Sequence, residues 1–356
     1  MARQLTLAYP GDLDTLTGGY IYDKRIVTEL KALGWETHAL SLDANFPAVD
    51  DNIKQQTAQQ LSQIDSKQIL VIDGLALGAL GQYAKLIQAQ RPFVALIHHP
   101  LALESGIDPD AASELRISER QALSYAQSVI VTSRVTKQTL IDQYAVANHK
   151  ITVVEPGLDR PARWDPSDTN KTNSPDQPLK LLSVGALVPR KGFDVLINAL
   201  GQLRALNWQL TVVGDNERAP EYSQHIDELI KRLALEQRIT LLGALPADRL
   251  AKLYQNADLF VLASRYEGYG MAYTEALAWG LPVVGTNAGA SAQTLDTAGA
   301  KIVPPDHVEA LAAALQLLVS NSQIRSAMRA AAQHYAQQLP TWAESGRLFS
   351  QALDSL

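Results

Sequence analysis

The sequence predicts an α/β protein made of two doubly wound parallel-sheet domains, and three observations carry that prediction. Short apolar runs alternate with helical patterns over nearly the whole chain, as expected of strands buried on both faces. The alternation stops at 165–178 (DPSDTNKTNSPDQP), which has almost no apolar residue, three prolines and five Asp or Asn, and then restarts. At 356 residues the chain also exceeds what one hydrophobic core usually serves. The expected layout is a first domain over 1–164, a linker over 165–178, a second domain over 179–338, and a terminal helix over 339–356 that packs back on the first domain.

Composition narrows the function classes. An apolar content of 46% with 19% charged residues describes an ordinary globular protein with material for two cores. The absence of cysteine excludes disulfides and thiolate metal sites and agrees with a reducing compartment. Residues 1–20 lack a basic stretch followed by an apolar one, and no run approaches the ~20 apolar residues of a membrane span. A cytoplasmic location is the expectation. The net charge of −6 argues against nucleic acid as a partner and leaves membrane contact at most peripheral.

In chain order, residues 4–9 form an apolar run of strand length, and 10–19 carry turn residues throughout. Residues 20–33 set Ile21, Ile26, Val27, Leu30 and Leu33 at helical spacing, closed by Gly34. A strand is expected over 37–42, while the polar, Gln-rich 46–62 reads as helical or mobile. A strand over 69–72, a helix over 75–90 and a strand over 93–97 follow, the last ending in His98-His99-Pro100. A helix over 112–126, a strand over 129–132, a helix over 136–144 and a strand over 151–154 complete the first round, stopped by Glu155-Pro156-Gly157. The second round sets strands at 180–184, 209–213 and 239–242 against helices at 193–206, 221–235 and 247–255. Beyond residue 286 a short strand over 301–303 precedes helices over 307–320 and 321–338. Pro340 then interrupts, and Thr341 caps the terminal helix.

The most informative stretch is 259–286, LFVLASRYEGYGMAYTEALAWGLPVVGT. Residues 259–263 are an apolar strand, and 281–285 are another after a Gly-Leu-Pro turn. Residues 271–279, rich in Ala, Leu, Glu and Met, form a helix ended by Gly280. The glycine-rich loop over 264–270 runs straight into that helix, whose free N–H groups and positive dipole end make an anion site. Glu267 lies at the carboxyl end of the strand, where open α/β sheets bind ligands. Glu275 follows eight positions on, just over two turns into the helix if it begins near Gly270. A helix-capping Glu267 with a solvated Glu275 is the plainer alternative.

A second feature lies at the end of the strand over 180–184. The turn over 186–192 holds Arg190 and Lys191, which suit a diphosphate because Arg grips phosphate oxygens bidentately and Lys adds a point charge. Alone, such a pair is also what a solvated turn carries. No Walker loop and no G-x-G-x-x-G follows a strand, so P-loop and dinucleotide readings lack their main feature. The triplets Asp12-Leu13-Asp14 and Asp108-Pro109-Asp110 lie away from the Arg-Lys turn and read as turn chemistry. With no cysteine, no His-x-x-x-His pair and no acidic triplet beside that turn, neither a metal nor another cofactor is expected.

Taken together these pieces resemble the family 4 glycosyltransferases, retaining enzymes of the GT-B fold, which has two Rossmann-like domains facing a cleft. The matching pieces span nearly the whole chain. They are Gly18-Gly19 before the first helix, His98 at a strand end, VVEPGLD at 153–159, VGALVPRKG at 184–192, EGYGMAYTEALAWGLPVV at 267–284, and the terminal helix. The Glu-(seven residues)-Glu spacing with G-x-G inside is highly specific; the Gly-Gly and His pieces are weak alone.

The resemblance implies roles. Glu267 would contact hydroxyls of the donor sugar and Glu275 the ribose hydroxyls. Arg190, Lys191 and the backbone N–H groups near Met271 and Ala272 would hold the diphosphate. Gly18 and Gly19 would admit a phosphate or the acceptor, and His98 would sit beside the sugar. His99 falls where many relatives carry an acidic residue, so either histidine can be the one that faces the sugar. Gly185, Leu245, Gly268, Tyr269 and Gly270 complete the implied substrate-binding set, with the base read by backbone around 242–245. Glu155 and the stretch 287–294 (NAGASAQT) depart from the family pattern, the latter lacking a glutamate.

The implied partners are a nucleotide-sugar donor, UDP-sugar favoured over GDP-sugar, and a hydroxyl acceptor, with a small polar molecule favoured and a lipid or glycan as the alternatives. Arg190, Lys191 and the helix N-terminus would stabilise the departing diphosphate without a metal. Retention would come from front-face attack; double displacement on a carboxylate is the alternative, and no first-domain carboxylate stands out for it. A nucleotide-sugar epimerase or phosphorylase on the same fold, or a non-catalytic sugar-nucleotide binding protein, are the competing readings.

Overall fold

The computed structural model describes residues 3–160 and 177–356. Its internal contacts divide the chain into two units, Met1–Gly157 with Pro340–Leu356, and Leu158–Leu339. Of the polar run expected as a linker, all but Gln177 and Pro178 lies outside the described residues. No described helix is long and apolar enough to cross a membrane.

The first unit alternates strand and helix: β1 (Arg3–Pro10), α1 (Gly18–Ala32), β2 (Trp35–Leu42), α2 (Asp51–Ser62), β3 (Ile69–Asp73), α3 (Gly74–Leu80) and α4 (Ala84–Gln90). It continues with β4 (Val94–Ile97), α5 (Pro109–Tyr125), β5 (Ser128–Val131), α6 (Arg134–Tyr144) and β6 (Ile151–Val153). The strands form one parallel sheet in the order β2-β1-β3-β4-β5-β6. Their apolar runs are covered on both faces, and VALI of β4 is buried throughout.

One region takes the helical of its two expected readings, and one segment differs from the sequence expectation. The Gln-rich region is helical from Asp51, because the Asp50 carboxylate accepts from Ile53 N at 2.8 Å while Thr57, Ala58 and Leu61 turn into the core. The single helix expected over 75–90 is instead broken between α3 and α4 by a 3-10 turn at Gly81–Tyr83. Gly81 has φ +51°, and a Cβ there would come 2.9 Å from Ser118 Oγ, so the break needs glycine.

The second unit repeats the pattern with β7 (Leu179–Val184), α7 (Phe193–Gly201), β8 (Trp208–Val213), α8 (Pro220–Arg232), β9 (Ile239–Leu241) and α9 (Ala247–Asn256). Then come β10 (Leu259–Val261), α10 (Met271–Ala278), β11 (Val283–Thr286), α11 (Ser291–Thr294), β12 (Ala300–Val303), α12 (Val308–Ser320) and α13 (Ser322–Ala336). Its parallel sheet runs β12-β11-β10-β7-β8-β9. In each sheet the direction of strand progression reverses once, at β1/β3 in the first and at β7/β10 in the second. Ligand sites of doubly wound sheets form outside the carboxyl ends at such points.

The last helix, α14 (Trp342–Asp354), belongs to the first unit. It packs so closely on α1 that a Cβ on Gly346 would meet Glu29 Cβ at 2.4 Å. Ser350 Oγ accepts from Trp35 Nε1 at 3.0 Å, and Arg3 pairs with Asp354 at 3.2 Å. Its start is a reciprocal cap: Thr341 Oγ1 accepts from Glu344 N, and the Glu344 carboxylate accepts from Thr341 N at 2.7 Å. Thr341→Ala should lower the stability of this unit by about 1 kcal/mol. The measurement is the denaturation midpoint reported by the buried Trp35 and Trp342, and an unchanged midpoint would show that the cap adds nothing.

Candidate functional site

The second unit's switch point gathers the charged residues. After β7 the chain turns through a short 3-10 segment, Pro189–Lys191, into Gly192, which has φ +64°. A Cβ on Gly192 would lie 2.0 Å from Ala263 O, so only glycine lets this turn press against the end of β10. That contact brings Arg190 and Lys191 to the loop after β10. Lys191 Nζ lies 2.6 Å from Glu267 Oε1, and Arg190 Nη1 lies 3.6 Å from Oε2 while donating to Tyr266 O at 2.9 Å. Ser264 Oγ donates to the same Oε1 at 2.6 Å. Glu267 is 5% exposed. Burial alone would push its carboxyl up, but Lys191, Arg190 and Ser264 outweigh that and hold it below the usual carboxylate range. Gly185 lies along the Lys191 stem, where a Cβ would meet the aliphatic carbons at 3.3 Å.

The loop backbone is fixed from behind. Glu267 forms a parallel bridge with Gly289, and its carbonyl accepts from Ala290 N at 2.8 Å. Thr294 Oγ1 donates to Tyr269 O at 2.6 Å. The stretch over 287–294 that departs from the family pattern thus supports the Glu267–Gly268–Tyr269 backbone. Gly270, with φ +96°, caps α10, and the first backbone bond of the helix runs from Tyr273 N to Gly270 O. The N–H groups of Met271 and Ala272 therefore open the helix without intrahelical acceptors. The helix starts at Met271, as expected, and at 3.6 residues per turn the five residues from Gly270 put Glu275 a little over one turn in, not two. Glu275 accepts from Tyr254 Oη at 2.9 Å, and burial pushes its carboxyl up to about 7. Leu245 is half-buried against the second core, just before α9.

One residue that sequence reasoning passed over braces this arrangement. Arg265 grips the Asp194 carboxylate through Nη1 and Nη2 at 3.0 and 2.7 Å, and Asp306 through Nε at 2.7 Å. Its backbone N–H donates to Arg190 O at 2.7 Å. It ties the Arg190-Lys191 turn to the Glu267 loop, and in the sequence only its place two residues before Glu267 hints at this.

In the first unit, Gly18 and Gly19 are the opening residues of α1 and not a loop before it. A Cβ on Gly19 would come 3.2 Å from His98 Cδ2. His98 Nε2 lies 3.0 Å from Asp23 Oδ1 and 3.4 Å from Asp73 Oδ2, and the ring stands edge-on to Tyr22 at 5.3 Å. Burial disfavours a charged imidazole, but the two carboxylates outweigh it and push His98 well up. Asp23, pushed up to about 6 by burial, is still ionised at neutrality. Asp23, Asp73 and His98 bring three polar side-chain atoms within 4.8 Å of one another. His99 lies apart from this cluster and pairs with Glu104 at 3.3 Å. Nothing in sequence spacing joins Asp23, Asp73 and His98, which come from three separate elements.

The raised Glu275 carboxyl has a sign that can be tested. In the fold it keeps its proton up to about pH 7, whereas in the unfolded chain it loses it near 4.5. Between those values the folded state binds more protons, so this group makes stability fall as pH rises. Glu275→Gln should flatten the fall between about pH 5 and 8 in denaturation midpoints. Parallel pH profiles in both proteins would assign the effect elsewhere.

Comparison with known proteins bears on the family and the fold. The family model "Glycosyltransferase Family 4" matches residues 24–160, and "Glycosyl transferases group 1" matches 165–335. A D-inositol 3-phosphate glycosyltransferase of Jonesia denitrificans is 28% identical over 286 residues, 74% of this chain and 66% of that protein. Across several such curated relatives the matched stretch spans roughly half to two thirds of their length. Among solved structures, sucrose-phosphate synthase from Thermosynechococcus elongatus superposes with a TM-score of 0.82 at 20% identity, covering 99% of this chain and 98% of the other. HepE from Anabaena, in complex with UDP and glucose, gives 0.77 at 20% identity, covering 99% and 100%. With one family model on each half and the two-sheet architecture shared end to end, the chain belongs to the family 4 glycosyltransferases and has their GT-B fold.

Proposed function

We propose that the chain is a retaining glycosyltransferase that moves a hexose from a nucleotide diphosphate sugar to a hydroxyl acceptor without a metal ion. A UDP-sugar is the favoured donor and a small polar molecule the favoured acceptor. The cytoplasm is its proposed location, with at most peripheral membrane contact. The observation that carries this reading is the buried Glu267 carboxylate held 2.6 Å from Lys191 and 3.6 Å from Arg190, beside the open N-terminus of α10. The UDP and glucose held by HepE support the donor, and the names of the inositol-phosphate and sucrose-phosphate relatives support the acceptor class.

Breaking the sugar–phosphate bond puts negative charge on the departing diphosphate. Lys191, Arg190 and the Met271 and Ala272 N–H groups are the fixed donors proposed to meet that charge. Lys191 is paired with the Glu267 carboxylate. Donor binding then exchanges partners: the diphosphate takes Lys191, and sugar hydroxyls take Glu267. Glu275 holds the ribose and His98 the sugar, while Gly18 and Gly19 let a phosphate or the acceptor approach. Front-face attack by the acceptor on an oxocarbenium-like sugar preserves the anomeric configuration.

The exchange makes an uncommon expectation. Glu267→Gln should lose most turnover yet bind UDP more tightly than the parent, because Lys191 is released; Glu275→Ala should mainly weaken UDP binding. Calorimetry with UDP, beside rates with UDP-glucose and an acceptor panel, checks both, and parental kcat/KM in both variants would sink the assignment. Arg190→Ala and Lys191→Ala should each cost on the order of 2–4 kcal/mol of transition-state stabilisation, less than additively together. Turnover should persist in excess EDTA, with the anomeric proton of the product retaining the donor's configuration. Abolition by EDTA and rescue by magnesium or manganese would overturn the metal-free mechanism. Turnover of donor alone would favour the epimerase or phosphorylase reading, and binding without turnover the silent protein.

A further inference from the structure

The ionic cluster in the first unit says more about His98 than its position does. Ionised carboxylates only accept hydrogen bonds, so Nε2, 3.0 Å from Asp23 and 3.4 Å from Asp73, must carry a proton. Neither carboxylate is free to swing away. Asp23 is 1% exposed, and the other Asp73 oxygen accepts from Leu75 N at 2.8 Å at the start of α3. Tyr22 and Gly19 of α1 wall the ring. Among the described residues Nδ1 has no protein partner, and the side chain remains 19% exposed with Nδ1 not sealed from solvent.

We propose that Asp23 and Asp73 are positioning residues that lock the His98 ring by its Nε2 edge, so that it meets substrate as a hydrogen-bond donor through Nδ1–H and never as a base. The partner it suits is an acceptor oxygen, either a sugar hydroxyl or a phosphate oxygen. The titratable groups packed against the ring are Asp23 and Tyr22 from α1 and Asp73 from the end of β3. The two carboxylates dominate, which agrees with the strong upward push on the imidazole. The role toward substrate rests on the transferase reading; the state of the ring does not.

The test is a pH titration of the whole chain labelled with 15N-histidine, the His98 ring being assigned by its absence from His98→Gln. Both ring nitrogens should stay protonated through about pH 8, where a model imidazole is neutral. Asp73→Asn, and Asp23→Asn if it folds, should bring the ring back into the titrating range. Each should lower kcat on the order of tenfold with a smaller change in donor KM, and make activity fall as pH rises. Adding UDP and then UDP-glucose tells the oxygen sources apart: a Nδ1–H shift with UDP alone means phosphate, and one only with the sugar means hydroxyl. A neutral ring at pH 7 would overturn the proposal. So would parental kcat and pH profile in the Asn variants, or zinc or manganese held by the cluster. Parent protein without transfer activity would overturn the transferase reading alone, since the titration would still decide the ring.

Discussion

A buried carboxylate cannot stay ionised without partners, and the second unit is arranged around meeting that demand at Glu267. Taking a lone carboxylate out of water costs several kcal/mol, and the cost is met only when countercharges and hydrogen bonds arrive together. Lys191, Arg190 and Ser264 come from two loops joined at the β7/β10 switch point. That requirement explains features that are otherwise unrelated. Gly192 lets the cationic turn approach, Gly289 admits the backbone that braces Glu267, and Arg265 fastens one loop to the other.

The first unit solves the opposite problem. There one imidazole meets two carboxylates, where in the second unit two cationic side chains meet one carboxylate. In the second unit the partners come from the loops after β7 and β10, in the first from α1 and the end of β3, and in both a glycine allows the approach. Preorganisation of this kind keeps polar groups aimed before any ligand arrives.

The sequence showed the architecture clearly because parallel strands covered on both faces leave uninterrupted apolar runs such as ILVID and VALI. Residues 267–275 were legible for a similar reason, since loop, helix start and both carboxylates are contiguous. Contacts between distant segments were not. Asp23 and Asp73 are fifty positions apart and look like any helical and strand-end aspartates until the sheet order brings them to His98. Arg265 reads as a solvated cation until Asp194 and Asp306 close on it. The helix expected over 75–90 failed at Gly81, where apolar periodicity continues across a residue whose positive φ no helix allows.

The chain enters and leaves the second unit at neighbouring points. Leu158 and Leu339 pack into one small cluster with Ala278 and Ala336, and Arg160 bonds the carbonyls of Gln337 and Leu339. Topologically the second unit is therefore an insertion within the first, whose helix α14 follows it in the chain. During synthesis the second unit has all its strands before the first has α14 to cover α1.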